Sequence, residues 1–178
     1  TPLEDRPLRL GYFGRISREK GVFMLADVLG EVANGNVTWV VISYDVAGET
    51  KAELRSRSEL GEEQIEFVEG RSGAQLNEPV ASLDVCVVPS RWPETGPFTV
   101  LEAMAQNVPC ICNDLSANAQ LIEHRQNGMT FETGDRASLR GCVSEVINQT
   151  SIVEEWRAEL PEIRTLDEYA EELSGYLK

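Results

Sequence analysis

Histidine is nearly absent from this 178-residue chain, and bases are outnumbered almost two to one, with 16 Lys and Arg against 30 Asp and Glu. A net charge of −14 argues against nucleic acid as a partner and against electrostatic contact with acidic lipid. The single histidine, His124, leaves no imidazole set for zinc, and the four cysteines include no Cys-x-x-Cys pair. Cys86, Cys110 and Cys112 fall in apolar, strand-like runs and Cys142 in a helical stretch, which predicts buried, reduced thiols and a cytoplasmic location. No apolar run approaches membrane-spanning length, no leader-like segment opens the chain, and no repeat or low-complexity tract interrupts it. His124, just before Gln126-Asn127-Gly128, is expected at the surface near a helix end.

Three further motifs are missing. Gly11-x-x-Gly14 has Ser17 where a dinucleotide fingerprint needs its third glycine, and no acid closes the next strand, Val37 to Ser43. Gly14-Arg15-Ile16 lacks the Gly-Lys-Ser/Thr ending of a P-loop. No Asp-x-Asp occurs, so a bridging divalent metal is not required, and no cofactor is expected. Hydride transfer and P-loop phosphate hydrolysis lose their main support.

What is present alternates. Apolar strand-like runs near residues 8–13, 37–43, 65–68, 84–88, 109–112 and 129–132 are separated by helical stretches. This predicts an α/β domain, a Rossmann-like doubly wound parallel sheet with helices on both faces. The proline-containing, mixed-charge residues 1–7 read as an interdomain linker, and 8–178 as one domain ending in helices at Ser151 to Lys178. Ligands of such sheets bind beyond the strands' carboxyl ends, at the topological switch point.

Two constellations follow strand ends. The first runs from Val88-Pro89-Ser90 through Glu94 and Gly96-Pro97 to Phe98-Thr99-Val100-Leu101-Glu102-Ala103-Met104-Ala105. Gly96 at the N-cap and Pro97 at the first helical position start a helix. Leu101, Met104, Ala105 and Val108 would then face the sheet. The N–H groups of Phe98 and Thr99 stand open at the helix N-terminus, a ready phosphate site, while Glu94 on the loop and Glu102 in the helix can accept from sugar hydroxyls. The second is Gly14-Arg15-Ile16-Ser17-Arg18-Glu19-Lys20-Gly21, a turn into a helix with Val22, Leu25, Val28, Leu29 and Val32 on one face. Three cations crowd that helix N-terminus, where positive side chains are unfavourable by a few tenths of a kcal/mol each. A bound anion reverses the sign.

The Glu-x7-Glu spacing followed by Ala-Met-Ala, after Val-Pro-Ser, resembles the donor site of retaining GT-B glycosyltransferases of the family-four type, which include sucrose synthase and many lipopolysaccharide and mannosyl transferases. The resemblance implies that Glu94 contacts hexose hydroxyls and Glu102 the ribose. It implies that Arg15 and Lys20 of the Gly14-Arg-x4-Lys-Gly pattern hold the diphosphate, with Arg18 off the matched positions. Gly70 and Arg71, after the third strand, would line the nucleobase pocket, and Trp92 could cover the sugar. Thr-Gly-Pro-Phe replaces the commoner Phe-Gly, so Gly96, Phe98 and Thr99 become the phosphate or sugar contacts around the non-donating Pro97. Asn118 and Gln120 stand where relatives carry Gly-Gly-x-x-Glu. The chain thus resembles the C-terminal half of a GT-B enzyme. A nucleotide-sugar donor and an acceptor-binding N-terminal domain, or a partner chain in its place, are the implied partners. A non-catalytic nucleotide-sugar subunit or sensor, or half of a GT-B-like epimerase, are the alternatives.

Overall fold

Six short runs dominated by Val, Ile, Leu and Cys pair side by side, as expected of strands buried on both faces. The computed structural model describes residues 3–33, 35–92, 96–115 and 117–163. The strands are β1 (Leu8–Phe13), β2 (Val37–Ile42), β3 (Ile65–Val68), β4 (Val85–Val88), β5 (Cys110–Asn113) and β6 (Gly128–Phe131). All pairings are parallel and the spatial order is β3-β2-β1-β4-β5-β6. Every strand falls within one residue of its expected start and end.

The helices are α1 (Val22–Val32), α2 (Gly48–Ser58), α3 (Asn77–Ala81), α4 (Phe98–Ala105), α5 (Arg136–Asn148) and α6 (Ile152–Ala158). Period-two alternation sorts the sheet into two cores. Leu8, Leu10, Trp39, Val41, Val85, Val87 and Ile111 pack with α1, α5 and α6 on one face. Val40, Ile42, Cys86, Cys110 and Cys112 pack with Val80, Val100, Ala103 and Met104 of α3 and α4 on the other. All four cysteines are buried free thiols, and burial pushes Cys112 up to about 12. Among the described residues no helix is long and apolar enough to cross a membrane.

Two expectations are corrected here. The sheet-facing side of α4 is Val100, Ala103 and Met104, while Leu101 is half-buried and Ala105 exposed. Docking onto the sheet turns Val100, Ala103 and Met104 inward and leaves Glu102 and Ala105 outward, a rotation away from the face that Leu101 and Ala105 would define. His124 sits in a turn-rich segment with no helix, where its Nδ1 accepts from the Thr130 N–H at 3.0 Å. The expected C-terminal helix beyond Ile163 lies outside the described residues.

At the amino end of β4, Asp84 is 2% exposed. It accepts two hydrogen bonds from Arg6 (2.6 and 2.8 Å), one from the Arg9 N–H (2.8 Å) and one from Arg157 of α6 (3.2 Å). Residues ahead of β1 and the sixth helix are thereby tied to one buried carboxylate.

Candidate functional site

The sheet reverses its winding between β1 and β4, and the loops leaving these strands face each other across a crevice. Its inner part, about 240 Å³, is lined by Gly14, Arg15, Lys20, Ser90, Gly96, Phe98, Thr99 and Asn118 over a floor of Tyr12, Phe13, Val88 and Pro89. A second part, about 520 Å³, shares Phe13, Gly14 and Arg15 and continues over β2 and β3 to Ser43, Tyr44, Asp45 and Arg71. The inner walls carry Arg15 and Lys20 and no carboxylate among the described lining residues, in a chain of charge −14.

Local contacts explain how the loops hold this shape. The Tyr12 hydroxyl, buried beneath the crevice, donates to the Arg15 carbonyl at 2.5 Å. The Gly14 N–H donates to the Ile42 carbonyl at 3.0 Å, so the chain leaves β1 still tied to β2. Gly21 has φ +72° and approaches the neighbouring loop so closely that a Cβ there would lie 1.8 Å from the Pro89 carbonyl oxygen. The Glu19 carbonyl accepts from the Arg91 N–H (2.7 Å) and the Ser90 hydroxyl (3.5 Å), stitching the β1 loop to the β4 loop.

At the other wall Pro97, expected as the first helical residue, is the N-cap of α4, and Phe98 takes the first position. The N–H groups of Phe98 and Thr99 make no bond among the described residues and belong to the positive end of the helix. The Phe98 ring is 72% exposed and covers Gly96, leaving no room for a Cβ.

Of the expected site residues, Gly14, Arg15, Lys20, Gly96, Phe98 and Thr99 share the inner cavity and Arg71 lines the second. Gly70 does not line it. Its N–H donates to the Tyr44 carbonyl at 2.9 Å, and its positive φ turns the chain so that Arg71 can. Glu102 lines neither cavity; it is exposed on α4, yet desolvation by the surrounding protein raises its carboxyl above the ordinary range. Glu94 lies outside the described residues. Trp92 lies beside the inner cavity in a separate depression. Asn118 reaches the inner cavity, and its amide donates to Asn113 Oδ1 at 3.2 Å, whereas Gln120 faces another surface.

Tyr44 escaped the sequence reading. It is 75% exposed at the second cavity, directly after β2. A signal existed: an aromatic beside a strand's carboxyl end has no core to join. Among the described residues the exposed large hydrophobics are Tyr44, Trp92, Phe98 and Leu115, and all lie on segments that follow the carboxyl ends of β2, β4 and β5. An apolar rim at one end of a sheet marks a face that meets a ligand or another domain.

Comparison with known proteins agrees with this geometry. The family model described as glycosyl transferases group 1 matches residues 7–149. The lipopolysaccharide core biosynthesis mannosyltransferase LpsB of Rhizobium meliloti is 34% identical over 136 residues, 70% of this chain and 35% of LpsB. A putative teichuronic acid biosynthesis glycosyltransferase, TuaC of Bacillus subtilis, is 28% identical over 65% of this chain and 27% of its own. The chain therefore spans about a third of the length of these curated relatives. The fold is shared with Anabaena HepE, solved in complex with UDP, at TM-score 0.74 and 23% identity over 96% of this chain and 49% of HepE. It is also shared with the C-terminal domain of the Francisella tularensis group 1 protein LpcC, at TM-score 0.73 and 22% identity over 88% of this chain and 84% of that one. With the parallel sheet, the crevice at its switch point and a match over most of the sequence, the chain belongs to the glycosyl transferases group 1 family, and its fold is the Rossmann-like half of a GT-B enzyme.

Proposed function

We propose that this chain is the donor-binding half of a retaining, metal-independent, cytoplasmic glycosyltransferase. It transfers a hexose-type sugar from a nucleoside-diphosphate sugar to an acceptor held by an N-terminal domain or a partner chain. One observation carries the reading: an acidic chain lines the inner crevice at its switch point with Arg15 and Lys20, opposite the open N-terminus of α4. A diphosphate is the ligand those groups suit, since cations and unpaired N–H groups converge on it from both walls. The mannosyl transfer in LpsB's name and the UDP in the HepE complex support a nucleotide sugar. The nucleoside then extends into the second cavity, between Tyr44 and Arg71.

Glycosyl transfer separates the nucleoside diphosphate from the anomeric carbon, and negative charge grows on the leaving phosphate. On this reading Arg15, Lys20 and the α4 dipole stabilise that charge more than they stabilise the intact donor, which raises the rate; their convergence on the inner cavity supports it. The absence of Asp-x-Asp from the sequence supports metal independence.

Calorimetry with UDP, GDP and ADP conjugates, with and without EDTA, tests the pocket. At least one conjugate should bind with EDTA present, and Arg15→Ala or Lys20→Ala should each weaken it by about 1.5–3 kcal/mol with little change in melting temperature. No heat with any conjugate would remove the assignment.

The two glutamates should separate. Glu102→Gln is expected to weaken nucleoside diphosphate and nucleotide sugar alike, as loss of a ribose contact does. Glu94→Gln is expected to leave nucleoside diphosphate affinity unchanged and to lower turnover of the complete enzyme, because its contact strengthens as the sugar becomes oxocarbenium-like. Equal loss of nucleoside diphosphate affinity in both variants contradicts this division.

A further inference from the structure

Next to the inner cavity lies a separate depression of about 260 Å³ lined by Arg18, Glu19, Arg91 and Trp92. Two loops that the chain brings together from 70 residues apart build it, joined where the Glu19 carbonyl accepts from the Arg91 N–H at 2.7 Å. The Ser90 hydroxyl, donating to the Trp92 carbonyl at 3.3 Å or to that of Glu19, fixes the backbone on which the indole stands. Trp92 is 66% exposed, while Trp39 and Trp156 are buried. The Arg91 guanidinium makes no hydrogen bond or ion pair among the described residues. The Arg18 guanidinium lies 5.9 Å from the Phe23 ring centroid, held by a contact that leaves its N–H donors available. The Glu19 carboxyl is held below its ordinary range by a backbone N–H and the Ser17 hydroxyl, with Arg15 and Arg18 nearby, so it remains a charged acceptor.

An exposed indole face is a platform for the C–H face of a pyranose. Two guanidinium groups lining the same depression suit a carboxylate or phosphate on that sugar, and the Glu19 carboxylate suits its hydroxyls. We infer that this depression is a subsite for an anionic saccharide, a sugar ring carrying a carboxylate or phosphate group, lying beside the donor crevice. Calling that saccharide part of the acceptor rests on the donor reading above; the binding itself does not.

Because the other two tryptophans are buried, quenching by neutral acrylamide reports on Trp92. The chain is titrated with methyl glucuronide, methyl glucoside and inorganic phosphate, each with and without saturating UDP. The expected result is protection of Trp92 by methyl glucuronide in both conditions. The neutral glucoside should be weaker by about tenfold, the size of one charge-assisted contact, and phosphate should give no protection of the indole. Arg91→Ala should weaken the glucuronide by a similar factor while leaving melting temperature and UDP affinity unchanged. Equal affinity for glucoside and glucuronide, equal protection by phosphate alone, or no protection by any of the three overturns the subsite. So does Trp92 that is already shielded because copies of this chain associate. Failure to bind UDP, GDP and ADP alike, with glucuronide protection intact, would overturn the donor reading and not this one.

Discussion

Replacing Asp84 by asparagine should destabilise the fold by about 2–4 kcal/mol, because it removes a buried carboxylate to which both Arg6 and Arg157 donate. Burial by itself would raise the Asp84 pKa. Hydrogen bonds from Arg6, the Arg9 N–H and Arg157, with the charge of Arg6, outweigh it and hold the carboxyl below the ordinary range. The pH dependence has a definite sign. A carboxyl whose folded pKa is depressed binds fewer protons in the folded than in the unfolded chain. Its contribution is therefore complete above the unfolded value of about 3.9 and is lost as pH falls through the lower folded value. Denaturant unfolding from neutral to acidic pH should show the variant and the parent converging at the acid end. A constant gap over the whole range would mean the loss is one of packing. Asp84 lies at the amino end of β4 and the crevice at the carboxyl ends, so nucleotide affinity in the folded fraction of the variant should equal the parent's.

Gly21→Ala is the second large effect, and it reaches both fold and site. The residue has φ +72°, a strain of roughly 1–3 kcal/mol for alanine. Its new methyl would also meet backbone, the Pro89 carbonyl, rather than a side chain that could turn away. The β1 and β4 loops must move apart, and with them Arg15 and Lys20 from the α4 wall. The expected outcome is a loss of about 2–4 kcal/mol in stability together with about tenfold weaker binding of whichever nucleoside diphosphate the parent takes up in the calorimetric test above. Gly35→Ala is the control. Its φ is also positive, +82°, but nothing lies within 4 Å of a Cβ there, so it should carry about 1–2 kcal/mol of strain and leave that binding alone. Thermal melting and calorimetry on the two variants check this. Equal effects on nucleotide affinity would show that backbone strain, not the approach of the loops, matters at Gly21.

Much of the architecture is local chemistry and was readable as such. Runs like Val37 to Ile42 and Val85 to Val88 are β-branched or apolar throughout, which only a strand covered on both faces accommodates at that length. The α1 face of Val22, Leu25, Val28 and Leu29 follows from helical period. Arg15 and Lys20 stood out in the sequence as cations in a turn leading to a helix of an acidic chain; the structure starts that helix at Val22, leaves Arg15 well ahead of it, and brings both side chains to the inner cavity.

The rest depends on contacts the sequence does not encode by spacing. Which apolar residues of α4 meet the sheet, Val100 and Ala103 rather than Leu101 and Ala105, was decided when the helix docked. Tyr44 enters the site because β2 ends beside β3 and their exit loops share a wall. Asp84 finds Arg6 and Arg157 from 78 and 73 residues away. The alternation of strands and helices was therefore determined by the sequence itself, because hydrophobic period and turn chemistry act over a few residues. Which loops meet at the Glu19 carbonyl, which helix face is buried and which guanidinium groups find an acidic partner among the described residues were decided by the tertiary structure, because packing and ion pairing act between residues that only the closed fold makes neighbours.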